Sequence, residues 1–163
     1  MKPGSLPLLL ALLGAALPAA AQDIVRHKIP GSDFPIAQAV TLPPNATIHF
    51  ISGQVPPVVD KNAPGDSLAA FGNTKQQTVG VLNKIKEILA GMGLGMGDVV
   101  KMQVFLVGDP ARGGKGDVAG FMEGYTQFFG GAQPNLPARA VMQVAALSNP
   151  GWLVEIEVVA AKK

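Results

Sequence analysis

Apolar residues recur at two different periods along this chain, and each change of period marks an element. Ile36–Val40 and Thr47–Gln54 read as short strands, the second (TIHFISGQ) alternating and rich in β-branched and aromatic side chains. Leu42-Pro43-Pro44-Asn45 turns the chain between them. From Val55 to Gly72 the period is lost among Pro56, Pro57, Pro64, Gly65 and Gly72, so this stretch reads as a loop long enough to cover something. The period then lengthens. Thr78, Val81, Leu82, Ile85, Ile88, Leu89 and Met92 fall on one helical face behind a cap at Asn73 or Thr74, predicting a helix to about Ala90. The glycines of GMGLGMGD follow that helix instead of preceding one, which favours helix termination over a phosphate-binding loop.

Val99–Val107 (VVKMQVFLV) reads as a third strand, and the glycine-rich loop GDPARGGKGD leads to a second helix over Asp117–Phe129. Its stripe of Val118, Phe121, Tyr125 and Phe128 is at core spacing. Ala138–Leu147 and Trp152–Ala161 then read as a closing hairpin around Ser148-Asn149-Pro150-Gly151. The order β-β-α-β-α-β-β predicts an α+β layer, a mixed sheet with two helices on one face. The last strand is apolar on both sides, Trp152, Val154, Ile156 and Val158 alternating with Leu153, Glu155, Glu157 and Val159. A sheet with helices on one face and apolar residues on the other needs a partner, so homo-oligomerisation through the open face is expected.

The first residues change the picture of where this fold works. Lys2, the apolar run Leu6–Leu17 and the small residues Ala19-Ala20-Ala21 form a signal-peptide pattern, too short and too broken by Pro7 and Gly14 to span a bilayer. Residues 1–21 are therefore expected to be a removed signal peptide, 22–163 the domain, and the product exported to the periplasm, with no stable membrane association after cleavage. The chain has 163 residues and no cysteine, which leaves room for one domain and excludes disulfides and thiolate chemistry. A net charge of +2, with scattered basic residues, gives no electrostatic case for nucleic acid.

Most candidate chemistry falls away. His27 and His49 stand apart without a third clustered ligand, so no metal is expected. No GxSxG elbow is present, and a solvated loop accounts for Asp109 and Asp117. Arg139 and Glu155 are different, because they lie in strands otherwise rich in Ala, Val, Met and Ile. An ionised group there is costly unless paired or used. Arg139 is either a structural arginine paired with a carboxylate or a fork gripping a substrate carboxylate; Glu155 or Glu157, which share a parity, could position a water. In a regular hairpin Arg139 lies opposite Ala160 and Glu155 pairs with Val144. That register separates the two by roughly 16 Å at ~3.3 Å per residue. Glu155 could then share a site only with the Arg139 of another subunit.

FPIAQAV, FISGQVP, AGMGLGMGDVVKMQVFL, FMEGYTQFFG, PARAVMQVAAL and VEIEVVA, in that order and spacing, resemble the RidA/YjgF family of enamine/imine deaminases over nearly all the mature chain. The resemblance implies a chorismate-mutase-like protomer, a homotrimer with sites in the clefts between subunits, and a cofactor-free hydrolysis of small 2-imino or enamino acids to 2-oxo acids and ammonia. It implies that Arg139 binds the substrate carboxylate, that Glu155 orients the water, that Ser52 and Gly53 line the pocket, and that the backbone at Val141 lies beside the ligand. Ile36 and Ala37 stand where deaminating members have tyrosine and serine, Met122 where they have asparagine, and Val141 where they have cysteine. A drier pocket with altered substrate preference is expected. The alternative is an exported, non-catalytic small-carboxylate-binding or holdase-like protein on the same fold.

Overall fold

The most apolar strand takes the middle of the sheet, and the rest of the architecture follows from that. The computed structural model describes residues 23–131 and 133–163; the signal peptide expected over 1–21 lies outside them. In chain order the elements are β1 (Val25–Lys28), β2 (Ala37–Thr41), β3 (Thr47–Gln54), α1 (Leu68–Phe71), α2 (Thr74–Gly91), β4 (Val99–Val107), α3 (Val118–Tyr125), β5 (Ala138–Val144) and β6 (Val154–Lys162). Six strands form one mixed sheet in the order β1-β2-β5-β4-β6-β3. The expected α+β layer is present.

The closing hairpin is not. β5 and β6 both pair with β4, β5 in parallel and β6 antiparallel, so β4 lies between them. A hairpin would have left one side of β4 without a ladder, although Val99, Met102, Val104 and Leu106 are almost wholly buried. Inserting β4 pairs its backbone on both sides, as a buried strand requires. The nine residues between Val144 and Val154 are long enough to carry the chain past its end. The register changes accordingly: Met102 is flanked by Arg139 and Val158, and Phe105 by Met142 and Glu155.

The core fills one side of this sheet. Val81, Leu82, Ile85 and Leu89 of α2, with Phe121 and Tyr125 of α3, pack on Met102, Val104, Ile156 and Val158. The expected α2 face is right except at its rim, where Ile88 and Met92 are exposed. α2 starts in a reciprocal capping box between Asn73 and Gln76. α3 stops at Tyr125, short of the expected Phe129, and its stripe turns inward through Phe121 and Tyr125, leaving Val118 exposed. Two elements escape the sequence pattern: β1, which pairs with β2, and the one-turn α1 inside the expected loop. Phe71 of α1 meets the Trp152 ring edge-on, and Gly151 lies so close to Phe71 and the Ser67 carbonyl that a Cβ there would collide. The long loop thus covers the chain entering β6. Asp109 and Asp117 are also not solvated: both are 7 % exposed, and each accepts a backbone N–H, from Ala111 and Gly120 respectively.

The other sheet face carries Phe50, 82 % exposed, beside Ile48 and Met142, both exposed. Val40, Leu42, Ile48, Phe50, Lys101 and Ala138 help line a hollow of about 350 Å³ there. Among the described residues no helix is long and apolar enough to cross a membrane.

One buried side chain ties the layers together. The Gln77 amide donates to the carbonyls of Gly72 (3.0 Å) and Gly151 (2.9 Å), and its oxygen accepts from Leu153 N–H (2.7 Å). Replacing it with leucine orphans the Leu153 and Gly151 groups at full burial. Gln77→Leu is expected to cost about 2–4 kcal/mol, read as a lowered urea midpoint at fixed protein concentration. An unchanged midpoint would show that these bonds contribute nothing net.

Candidate functional site

Arg139 enters the core side of the sheet because its register partner, Met102, does. There the guanidinium meets aromatic rings instead of acids. Its central carbon lies 4.2 Å from the ring centre of Tyr125, 5.1 Å from Phe121 and 5.5 Å from Phe34. Those distances are within cation–π range. Nη2 donates to the Met122 sulfur at 3.3 Å, and Nη1 is buried with no acceptor. The ion pairs among the described residues are Lys75–Glu123, Arg112–Asp117 and Lys163–Asp23, none of which involves Arg139. Within the described residues of one protomer, Arg139 is thus not paired with a carboxylate.

Local structure explains each wall. α3 presents Phe121, Met122 and Tyr125 within one turn and a half of each other, Phe121 and Tyr125 wholly buried as the floor. The Phe34–Ile36 segment is drawn in by the single parallel bridge Ala37–Ala138, by Ala37 N–H donating to the Pro137 carbonyl (2.9 Å), and by the Tyr125 hydroxyl donating to the Pro35 carbonyl (2.7 Å). Val141 follows two residues after Arg139 on the same strand face and packs against the core.

Burial pushes the Arg139 guanidinium below its usual value, Tyr125 working the other way; it stays charged, since the starting value is so high. Burial pushes the Tyr125 hydroxyl up to about 12, the nearby Arg139 charge opposing the shift.

Glu155 lies elsewhere. Its register partner is Phe105, three residues from Met102 and hence on the opposite face of the sheet. Three residues along and two strands across put its backbone roughly 14 Å from that of Arg139, at ~3.3 Å per residue and ~4.8 Å per strand. Gly53 lies directly over its carboxylate, so close that a Cβ at 53 would overlap it. The β3–β6 ladder shifts register between Ile51 and Gln54, and this irregularity brings Gly53 in. Ser52 is exposed next to it, its carbonyl accepting from the Gln54 amide.

The expected site residues thus fall into two half-sites. Arg139, Met122, Val141 and the segment ending at Ile36 form one; Glu155, Gly53 and Ser52 form the other. Sequence spacing missed Phe34, Phe121 and Tyr125 as the cage of Arg139. The one available signal was Tyr125, a lone tyrosine in an apolar stripe whose hydroxyl had to find a partner.

A family model described as Endoribonuclease L-PSP matches residues 31–162. TdcF of Escherichia coli, named as a reactive intermediate deaminase, is 32% identical over 140 residues, covering 85% of this chain and 95% of TdcF. A RutC family protein of Pyrococcus abyssi is 31% identical over 144 residues, covering 88% of this chain and 99% of the relative. The solved structure of E. coli TdcF with bound serine superposes with a TM-score of 0.56 at 30% identity, covering 87% of this chain and 99% of that one. The neighbours support the chorismate-mutase-like fold inferred from the resemblance.

Tyr125 is the sole tyrosine, so one titration reads it alone. Tyrosinate absorbance of the folded protein is expected to rise near pH 12, against 10.0 for the unfolded side chain. Because the folded value is the higher one, the stabilisation is complete below pH 10.0 and is lost as pH rises towards 12. Ionisation near the ordinary value in folded protein would contradict the buried cage.

Proposed function

We propose that this chain, which belongs to the Endoribonuclease L-PSP family, also called RidA/YjgF, hydrolyses 2-imino or enamino acids to 2-oxo acids and ammonia. Hydrolytic deaminase-type chemistry is found at the level of the family, in relatives such as TdcF. The observation that carries the reading to this chain is the Arg139 guanidinium, withdrawn from water among aromatic rings with no carboxylate of its own protomer beside it and with Nη1 unpartnered within that protomer. Folding that leaves a cation in this condition is unfavourable unless an anion completes it. The serine bound in the TdcF structure is a small molecule with a carboxylate, and supports the same class of ligand here.

In this reading the substrate carboxylate takes the place of the Met122 sulfur and reaches the η nitrogens as a bidentate partner. That requires the Met122 or Phe34 side chain to move aside. The iminium carbon is already electrophilic, so the reaction needs a held substrate and a placed water. Glu155 accepts the water's proton as oxygen adds to C2. The carbinolamine then collapses to the 2-oxo acid, releasing ammonia with that proton. No cofactor enters the sequence.

Because Arg139 and Glu155 occupy opposite faces of their own sheet, the complete site forms between protomers, the open face of each seated in a homotrimer around Phe50. The signal-peptide pattern over residues 1–21 supports an exported, periplasmic product. The family description names an endoribonuclease, but an arginine walled by three rings and a thioether suits one small carboxylate better than a run of phosphates.

Coupling an amino-acid oxidase to the purified protein tests the reading. Imine loss should accelerate; Arg139→Ala should abolish the acceleration together with 2-oxobutanoate binding. Glu155→Gln should lower kcat about 10²–10⁴-fold while binding persists. Retained binding without any turnover would instead support the non-catalytic carboxylate binder. A second outcome concerns assembly: Phe50→Asp should give monomers in sedimentation and lose activity, whereas an active monomer would remove the inter-subunit site.

A further inference from the structure

The floor and the walls of the Arg139 recess differ in kind. Phe121 and Tyr125 are wholly buried and fix the guanidinium from below, whereas Phe34 is 48 % exposed and Met122 is only partly buried. These two form the boundary that a ligand must pass. The Met122 thioether holds Nη2 at 3.3 Å as a weak acceptor, one that a carboxylate displaces readily. Once displaced, Met122 and Phe34 lie against whatever substituent the carboxylate carries.

Neither side chain offers a strong donor or acceptor. The one hydroxyl in the cage, on Tyr125, is already committed to the Pro35 carbonyl at 2.7 Å. Val141, two residues along the same strand face, and Ile36, next to Pro35 in the chain, are apolar too. On this half of the site a hydroxyl or second carboxylate on the ligand would leave water and find no partner. A branched or long hydrocarbon would be covered by a ring and a flexible thioether. From this we propose that Met122 and Phe34 are the specificity-determining residues of the site, and that its substrates are 2-imino acids with branched or long apolar substituents. The proposal deepens the carboxylate-binding reading above and rests on it.

Titration calorimetry on the full assembled protein with three 2-oxo acids tests this without requiring turnover. Wild type should bind 4-methyl-2-oxopentanoate about tenfold tighter than 2-oxobutanoate, as two buried methylene equivalents imply, and 3-hydroxy-2-oxopropanoate more weakly than either. Met122→Gln should reduce the tenfold preference to about threefold or less, while Met122→Leu, apolar but without sulfur, should keep it. Arg139→Ala is the control, expected to remove binding of all three.

Equal affinities, or tightest binding of the hydroxylated acid, would overturn the selectivity and leave the carboxylate site standing. A preference unchanged in Met122→Gln would remove Met122 from the role. If wild type binds none of the three, or binds them equally well without Arg139, the carboxylate site itself falls and this inference with it.

Discussion

The double pairing of β4 governs everything else in this molecule. A strand as apolar as VVKMQVFLV cannot lie at an edge without leaving buried amides and carbonyls unpaired, so β5 and β6 take one side each. That choice fixes the parity of both flanking strands. Met102 faces the helices and takes Arg139 with it; Phe105 faces away and takes Glu155 with it. Two ionisable groups close in the chain's final segment are thereby sent to opposite sides of one sheet, and no adjustment of side-chain rotamers can reunite them within a protomer.

The electrostatics of the core side follow from the same placement. Arg139 arrives among groups contributed by α3 and by the chain ahead of β2, all of them aromatic, thioether or aliphatic. Ring faces hold the charge without cancelling it, each contact contributing about 0.5–2 kcal/mol. They also tune the neighbour: the Tyr125 hydroxyl is held protonated by burial and directed to a backbone carbonyl, which anchors Pro35 and completes the wall. Cation, ring and backbone are one cooperative unit.

Much of this was legible in the sequence, and the parts that were not share a cause. Helix α2, with its Asn73 cap and buried Val81–Leu89 face, could be read because helical periodicity is local. Arg139 and Glu155 stood out because charges are rare in apolar strands. Strand partnership is not local: β5, β6 and a four-residue turn look like a hairpin until the demand of β4 for two neighbours is weighed. The acids Asp109 and Asp117 looked like loop residues because their capping role depends on backbone geometry at Ala111 and Gly120. β1 was missed because VRHK carries almost no apolar signal, and the cage around Arg139 because Phe34 and Tyr125 are 91 positions apart in sequence yet meet at one guanidinium, the Tyr125 hydroxyl bonding the Pro35 carbonyl.

The bond between β2 and β5 has a dynamic consequence. The two strands meet at one bridge, Ala37–Ala138, while every other neighbouring pair in the sheet runs over several residues. Beyond that bridge the β1–β2 ribbon is moored by single contacts: the Ala37 N–H to the Pro137 carbonyl, the Tyr125 hydroxyl to Pro35, Arg26 Nη2 to the Gly97 carbonyl at 2.7 Å, and Lys163 to Asp23 just ahead of β1. It is thus a small unit of low local stability attached to a more cohesive four-stranded body. Because Phe34 belongs to that ribbon, the outer wall of the Arg139 cage hangs on the least-paired junction in the sheet.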